Sequence, residues 1–249
     1  MTQLDMWAGA ALPIAAVTLL GFAARPGQSV RHARVSREGG SVLLSERIMH
    51  RGYVWVDRLA AVADQCRLSA NTVSWLSLAL GAGAGVLVGA GWLGCAAWLL
   101  ALSGLGDGVD GALARRSASG NGSAAGAVLD SALDRYVEFF FCAGLVWYYR
   151  STPLYQLIVV AALFGGFMVT YSTAKAEALQ TTPPRGWMKR AERMVWLTGG
   201  ATFAAIAPLA HVPPGAVLAS VLALIAVFAN LSAILRLHAL ARAMHANRR

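Results

Sequence analysis

Charge is scarce in this chain: only 13% of its 249 residues are Asp, Glu, Lys or Arg, against roughly 25% in a soluble domain. That shortage argues against a water-soluble enzyme, a disordered chain and a coiled coil. Cysteine is scarce too. Cys66, Cys95 and Cys142 are widely spaced and form no C-x-x-C pair, so neither a disulfide framework nor a thiolate zinc site is expected. His32, His50, His211, His238 and His245 never fall at metal-ligand spacing. Acidic residues number 12 against 21 Lys and Arg, a net charge of +9. On a soluble protein such an excess would suggest nucleic acid. Here 57% of residues are hydrophobic and the mean hydropathy is +0.55. The basic residues are therefore assigned to cytoplasmic loops facing anionic membrane lipid, and no nucleic-acid partner is expected.

Charge-free runs locate the membrane spans. Met6 to Ala24 and Ser151 to Ala174 each suffice for one crossing. Leu68 to Gly106 and Met194 to Leu235 each suffice for a helical hairpin, the second broken at Pro208 and Pro213-Pro214. Phe139 to Tyr149 becomes a span only when extended back to about Ala125, which puts Asp130, Asp134, Arg135 and Glu138 in its first half. Seven spans are expected, near 6–24, 71–90, 93–115, 125–149, 152–175, 192–211 and 214–236. Nineteen of the 21 Lys and Arg then lie on one side, which predicts an external N-terminus and a cytoplasmic C-terminus. The first span lacks a basic n-region: Asp5 precedes it and Arg25 follows it. It reads as a retained anchor, with Phe22-Ala23-Ala24 the one stretch that resembles a cleavage site.

Within residues 40–66, Leu44, Ile48, Val54, Leu59, Val62 and Cys66 recur at helical spacing among Arg47, Arg51, Asp57, Arg58 and Asp64. This predicts an amphipathic helix in the cytoplasmic interface; a cytosolic helix packed on the bundle is the alternative. The expected fold class is thus an all-α polytopic membrane protein, with a six-helix transmembrane core, an extra N-terminal transmembrane helix and an interfacial helix. The run Gly81 to Gly85, with Gly89 and Gly91, favours close helix packing. No repeat of 20–50 residues is visible.

Five acids sit at span ends or inside spans: Asp107, Asp110, Asp130, Asp134 and Glu138. Ionisable groups at such depth are costly and read first as functional. Asp107 and Asp110 are i, i+3; Asp130 and Asp134 are i, i+4. Each pair shares a helix face. If the two helices are antiparallel neighbours, the four carboxylates converge. They then need a counter-charge, and hard oxygen ligands suit two Mg²⁺ or Mn²⁺ ions. Small residues around them (Gly106, Gly108, Gly111, Ala112 and Ala114) are expected to let a flat group approach the backbone. The plain alternative is an ion-pair knot, with Arg115 and Arg135 pairing two of the acids.

Asp107-Gly-Val-Asp110-Gly111-Ala-Leu-Ala114-Arg115, followed by Gly126-Ala-Val-Leu-Asp130-Ser-Ala-Leu-Asp134, resembles the D-x-x-D-G-x-x-A-R … G-x-x-x-D-x-x-x-D signature of CDP-alcohol phosphotransferases. All eight defining residues are present. The intervening loop has ten residues where the family usually has eight, the extra two falling in Ser117 to Ser123. The resemblance implies that residues 1–66 form an anchor and interfacial helix and 67–249 the transferase domain. It implies that Asp107, Asp110 and Asp130 hold one metal and Asp134 completes a second site and acts as general base. Gly111, Ala114 and Gly126 would lie against the nucleotide and Arg115 against phosphate. Ala70-Asn71-Thr72-Val73-Ser74 resembles the family's Pro-Asn-x-x-Thr element, making Asn71 a cytidine-side contact as well as a candidate helix N-cap. A homodimer is the family's frequent assembly.

Ala174-Lys175-Ala176-Glu177 and Arg190-Ala191-Glu192-Arg193 resemble elements of bacterial phosphatidylinositol-phosphate synthases, which hold an acceptor phosphate with basic residues. Lys175, Arg190 and Arg193 are the acceptor-side candidates within a cluster that includes Arg185 and Lys189. Ala124 stands where those enzymes usually carry a further cation. The expected activity is transfer of a phosphatidyl group from a CDP-linked lipid to a polar alcohol, with release of CMP. An inositol-phosphate-like or glycerol-phosphate-like acceptor fits best; serine or choline is the alternative. A soluble CDP-headgroup donor with a lipid acceptor would use the same site. An intramembrane prenyltransferase would not need the glycine and arginine spacing, and a transporter would hold its acids near the midplane.

Overall fold

A computed structural model describes residues 2–22, 46–116, 124–182 and 186–246. The Ala23-Ala24 pair, Leu44, the lengthened Ser117 to Ser123 loop and Arg185 lie outside the described residues. Eight α-helices occur among them: α1 (Gln3–Phe22), α2 (Glu46–Gln65), α3 (Ala70–Gly89), α4 (Leu93–Arg116), α5 (Ala124–Tyr148), α6 (Pro153–Ala178), α7 (Arg190–Ile206) and α8 (Pro214–Ala246). No strand occurs among the described residues.

Seven of these helices fall where spans are expected, and α2 falls where the amphipathic helix is expected. By length and composition alone, α1, α3, α6 and α8 are apolar enough to cross a membrane. Of the remaining core helices, α4 and α5 carry charged residues of the site, which dilute their hydropathy, and α7 has only 17 residues. The first hairpin turns at Gly91, whose φ of +85° is a conformation glycine adopts without a Cβ clash. The second ends α7 in a 3₁₀ turn, Ala207–Ala210, and starts α8 at Pro214. That stops α7 five residues short of the span expected to reach 211. The 33 residues of α8 run about 50 Å, longer than a single crossing requires.

The glycine run sits on α3 and fixes the layout. A Cβ on Gly81 would meet the side chain of Val137 at 2.6 Å, and Gly85 and Gly144 bring the α3 and α5 backbones into direct contact. The opposite face of α3 receives α4: Ser103 Oγ donates to the Ser77 carbonyl at 2.7 Å, and Gly83 packs on Leu99. Hence α4 and α5 each lean on α3 and barely touch one another. The acids of α4 and α5 thus come together without close packing of the two helices, because α3 lies against both and sets the spacing of their charged ends.

The other half of the bundle pairs α6 with α8, where Gly165 makes room for Asn230, whose Nδ2 donates to the Ala161 carbonyl at 2.9 Å. Leu93, Leu100, Phe141, Leu145, Leu218 and Leu222 are fully buried and join both halves in one core. The helix α2 buries Val56, Ala60 and Ala63 against Val73, Val109 and Leu113, so it covers the end of the bundle formed by the start of α3 and the end of α4. Its Leu59 and Val62 remain exposed. It therefore packs on the bundle through one face and keeps apolar side chains on another.

Candidate metal and nucleotide site

One helical turn separates Asp107 from Asp110 on α4, and α5 presents Asp130 across the gap. Carboxylate oxygens of these three residues lie within 4.8 Å of one another. Asp110 is the deepest, at 4% exposure, and its Oδ2 accepts a 2.6 Å hydrogen bond from Ser74 Oγ on α3. The Ala70 carbonyl lies 3.1 Å from the same Ser74 Oγ, so the single hydroxyl proton is shared between backbone and carboxylate, with the shorter contact to Asp110.

Asp134 joins through an arginine. Arg190, at the start of α7, places Nη1 2.8 Å from Asp107 Oδ2 and Nη2 2.6 Å from Asp134 Oδ1. One guanidinium thus bridges α4 and α5. Its Nε is buried and has no hydrogen-bond partner among the described residues. A buried donor left open is costly, and Trp196 Nε1 is another such atom among the described residues.

A second ion pair lies one turn farther along both helices. Glu138 follows Asp134 by four residues, and Arg193 follows Arg190 by three, so the two pairs stack. Arg193 Nε donates to Glu138 Oε1 at 2.6 Å, Nη2 to Oε2 at 2.7 Å, and Nη1 to the Met188 carbonyl at 2.7 Å. Arg193 is 1% exposed. Gly166 of α6 supplies the space: a Cβ there would meet Arg193 Nε at 2.7 Å and Glu138 Oε1 at 2.8 Å. The segment entering α7 is anchored in turn, because Met188 donates its N–H to Glu192 Oε2 at 2.7 Å.

The acceptor-side candidates therefore separate. Arg190 stands among the carboxylates, Arg193 is enclosed with Glu138, and Lys175 is exposed in the last turn of α6. Sequence reading singled out Glu138 by depth but missed its partner; the i, i+4 acids facing i, i+3 arginines were the available signal. It also missed Ser74, visible only as the last residue of the Asn71 element.

The nucleotide-side candidates lie at the same end of the bundle. Gly111 and Ala114 are half-buried on α4, Arg115 is exposed in its last turn, and Gly126 is half-buried in the first turn of α5. Asn71 is exposed in the first turn of α3. The N-cap there is Ser69, whose Oγ accepts from the Thr72 N–H at 3.1 Å; Asn71 is two residues too late for that part. The expectation that every small residue near the acids opens onto a ligand is also corrected. Gly106 is closed off by Ser77, Gly108 by Val56, and Ala112 is buried. Those positions bring α2 and α3 onto α4, leaving Gly111 and Ala114 on the more open side.

Two motif-bearing helices held apart by a third, with three carboxylates converging across the gap, define a membrane-embedded class of site suited to a hard cation. The chain belongs to the CDP-alcohol phosphatidyltransferase family, whose sequence profile matches residues 67–244. A phosphatidylinositol phosphate synthase of Mycobacteroides abscessus is 36% identical over 116 residues, covering 45% of this chain and 50% of the relative. One from Cutibacterium acnes is 30% identical over 149 residues, covering 57% and 70%. An archaetidylinositol phosphate synthase of Aeropyrum pernix is 43% identical over 98 residues, covering 39% and 47%. The chain spans about half the length of the first and third of these relatives. Among solved structures, Mycobacterium tuberculosis phosphatidylinositol phosphate synthase in complex with manganese and citrate superposes with a TM-score of 0.64 at 26% identity, covering 74% of this chain and 87% of that one. The same enzyme with CDP-DAG bound also gives 0.64 at 26%, covering 74% and 92%.

Proposed function

We propose that this chain is a metal-dependent phosphatidyltransferase that moves the phosphatidyl group of CDP-diacylglycerol to a phosphorylated polyol of the inositol-phosphate type and releases CMP. The observation that carries this reading is the convergence of Asp107, Asp110 and Asp130 from two helices, bridged to Asp134 by Arg190. A set of carboxylate oxygens on one spot suits Mg²⁺ or Mn²⁺. Asp107, Asp110 and Asp130 would hold one ion, and Asp134 would take part in holding a second. When bound, the ions supply positive charge against the diphosphate and the departing CMP.

The protein's own side chains do the rest. Asn71, Gly111, Ala114 and Gly126 line the nucleotide side, and Arg115 contacts phosphate. The acceptor oxygen attacks the phosphorus that bears the diacylglycerol, the bond from that phosphorus to the CMP oxygen breaks, and the acceptor proton passes to the Asp134 carboxylate. Arg190 places a cation among the carboxylates at the start of α7, which favours a phosphorylated acceptor over serine or choline. Lys175 adds a second cation from the exposed end of α6. Arg193 is a positioning residue: its ion pair with Glu138 ties α7 to α5 one turn behind Arg190 and Asp134.

In this reading residues 1–66 are the anchor and interfacial helix and 67–249 the transferase domain. The site faces the cytoplasm, with the N-terminus outside, and the homodimer is the assembly that the family resemblance implies. The test is an acceptor screen. Purified protein with Mn²⁺ and CDP-diacylglycerol is offered inositol phosphate, glycerol phosphate, inositol and serine, with CMP measured and the lipid product identified by mass spectrometry. The expected product is phosphatidylinositol phosphate. CMP release with serine alone, or with no acceptor at all, would overturn the proposal.

A further inference from the structure

The family match begins at residue 67, so the shared chemistry does not account for α1. The helix is nonetheless firmly seated. Asp5 is 1% exposed and accepts hydrogen bonds from the backbone N–H groups of Leu93, Gly94 and Cys95 at 3.0, 2.9 and 3.0 Å. This places a carboxylate on the unpaired donors that start α4. Trp98 Nε1 donates to the Ala8 carbonyl at 2.9 Å. Gly94 has no room for a side chain against the α1 backbone, and a Cβ on Gly9 would meet Ala205 of α7 at 2.7 Å. A helix serving only as a tether would not need a buried acid and two glycine contacts to fix its position.

Beyond this clamp the three helices part. Leu12 and Ala16 of α1, Leu100 and Gly104 of α4, and Gly199 and Phe203 of α7 line a partly open apolar cavity of about 480 Å³. That volume is in the range of single-ligand pockets, roughly 300–1,000 Å³. Its charged lining residues are Asp107 and Arg190, which belong to the carboxylate site. From Arg190 to Phe203 the α7 wall rises about 20 Å. Gly104 and Gly199 are informative, since a Cβ on either would meet nothing within 4 Å. Both lie inside helices, where alanine is favoured by about 1 kcal/mol, and neither has a positive φ. Neighbouring Gly200 is different: a Cβ there would meet Val221 at 3.0 Å. Gly104 and Gly199 therefore serve neither the backbone nor the packing; they keep the cavity wide.

A cavity that is apolar along its length and charged at one end matches an amphiphile whose anionic head sits at the carboxylate site. We infer that this cavity holds one acyl chain of the lipid donor, and that α1 is its outer wall and determines which donor tails the site accepts. The inference rests on the donor reading above, but it can fail while that reading stands.

The test compares the parent with Gly199→Leu and Ala16→Phe, which fill the cavity from opposite walls. Donors are CDP-diacylglycerol with long chains and with short chains, and CMP release is followed alongside thermal unfolding. Both variants should lose at least tenfold in kcat/KM for the long-chain donor and stay within about twofold for the short-chain donor. In a second arm, CDP-diacylglycerol with a diazirine in one acyl tail is photolysed on the parent protein. It should label α1, and unlabelled donor should displace the label. Equal loss with both donors in variants that unfold like the parent would overturn the inference, as would activity unchanged with both. So would labelling that spares α1 or that competitor does not displace. The labelling arm reads tail binding whether or not CMP is released, so failure of the transferase reading and failure of the α1 wall are told apart.

Discussion

Replacing Arg193 by alanine distinguishes what the sequence suggests about this residue from what its surroundings require. The change removes two hydrogen bonds to Glu138, at 2.6 and 2.7 Å, and one to the Met188 carbonyl at 2.7 Å, from a side chain 1% exposed. Breaking a buried ion pair from one side costs about 3–5 kcal/mol, because the remaining charge stays buried without a partner. Glu138 would be that remnant, flanked by Val137, Phe141 and Cys142 of the core. The Met188 carbonyl would lose its anchor as well, loosening the segment that delivers Arg190. Thermal unfolding in detergent micelles should therefore show a large drop for Arg193→Ala. The double variant Glu138→Leu/Arg193→Met, which removes both charges and keeps bulk, should recover most of it, since such swaps are often neutral or better. Turnover is to be measured on the fraction that remains folded. If Arg193→Ala unfolds like the parent and instead raises only the acceptor KM, Arg193 contacts the acceptor and the positioning role is wrong.

Four further outcomes are expected. Asp134→Asn should keep CDP-diacylglycerol binding, measured by isothermal titration, while abolishing CMP release; retained turnover would remove Asp134 as the proton acceptor. Asp107→Asn should abolish Mn²⁺-dependent binding of the CDP group in the same assay, and unchanged binding would contradict its place as a ligand. Ser74→Ala takes a 2.6 Å hydrogen bond from the Asp110 carboxylate; loss of such an orienting partner weakens metal binding about 10- to 100-fold, readable as the Mn²⁺ concentration giving half-maximal activity. Gly166→Ala would push a Cβ onto the Arg193–Glu138 pair and should destabilise the fold by about 1–3 kcal/mol, seen as a lower unfolding temperature.

Much of the architecture is legible from residue order because its causes are local. A charge-free run long enough to cross a bilayer folds as helix wherever it is placed, since its backbone polar groups have no other partner there. So α1, α3, α6 and α8 could be drawn directly, and α5 once its acids were accepted inside a span. The aspartate pairs were legible for the same reason: i, i+3 and i, i+4 spacing fixes a shared face within one helix. Asp5 shows the limit. Read along the chain it flanks the first span; in three dimensions it caps the start of α4, 88 residues away. No local pattern announces such a partner. Gly106 and Gly108 show it again: beside the acids they read as openings for a ligand, yet Ser77 and Val56 occupy that space.

The sequence by itself determined the helices, the membrane character and which charged side chains share a helix face, because hydropathy and helical periodicity are properties of neighbouring residues. Only the tertiary structure decided how those side chains are spent. With α3 wedged between α4 and α5, the acids face each other across a gap instead of pairing along an interface. The stacked arginines of α7 divide between that gap and the core, and α1 closes the apolar cavity that opens onto it. Each of these depends on distances between residues far apart in the chain, which packing of whole helices sets and no local spacing encodes.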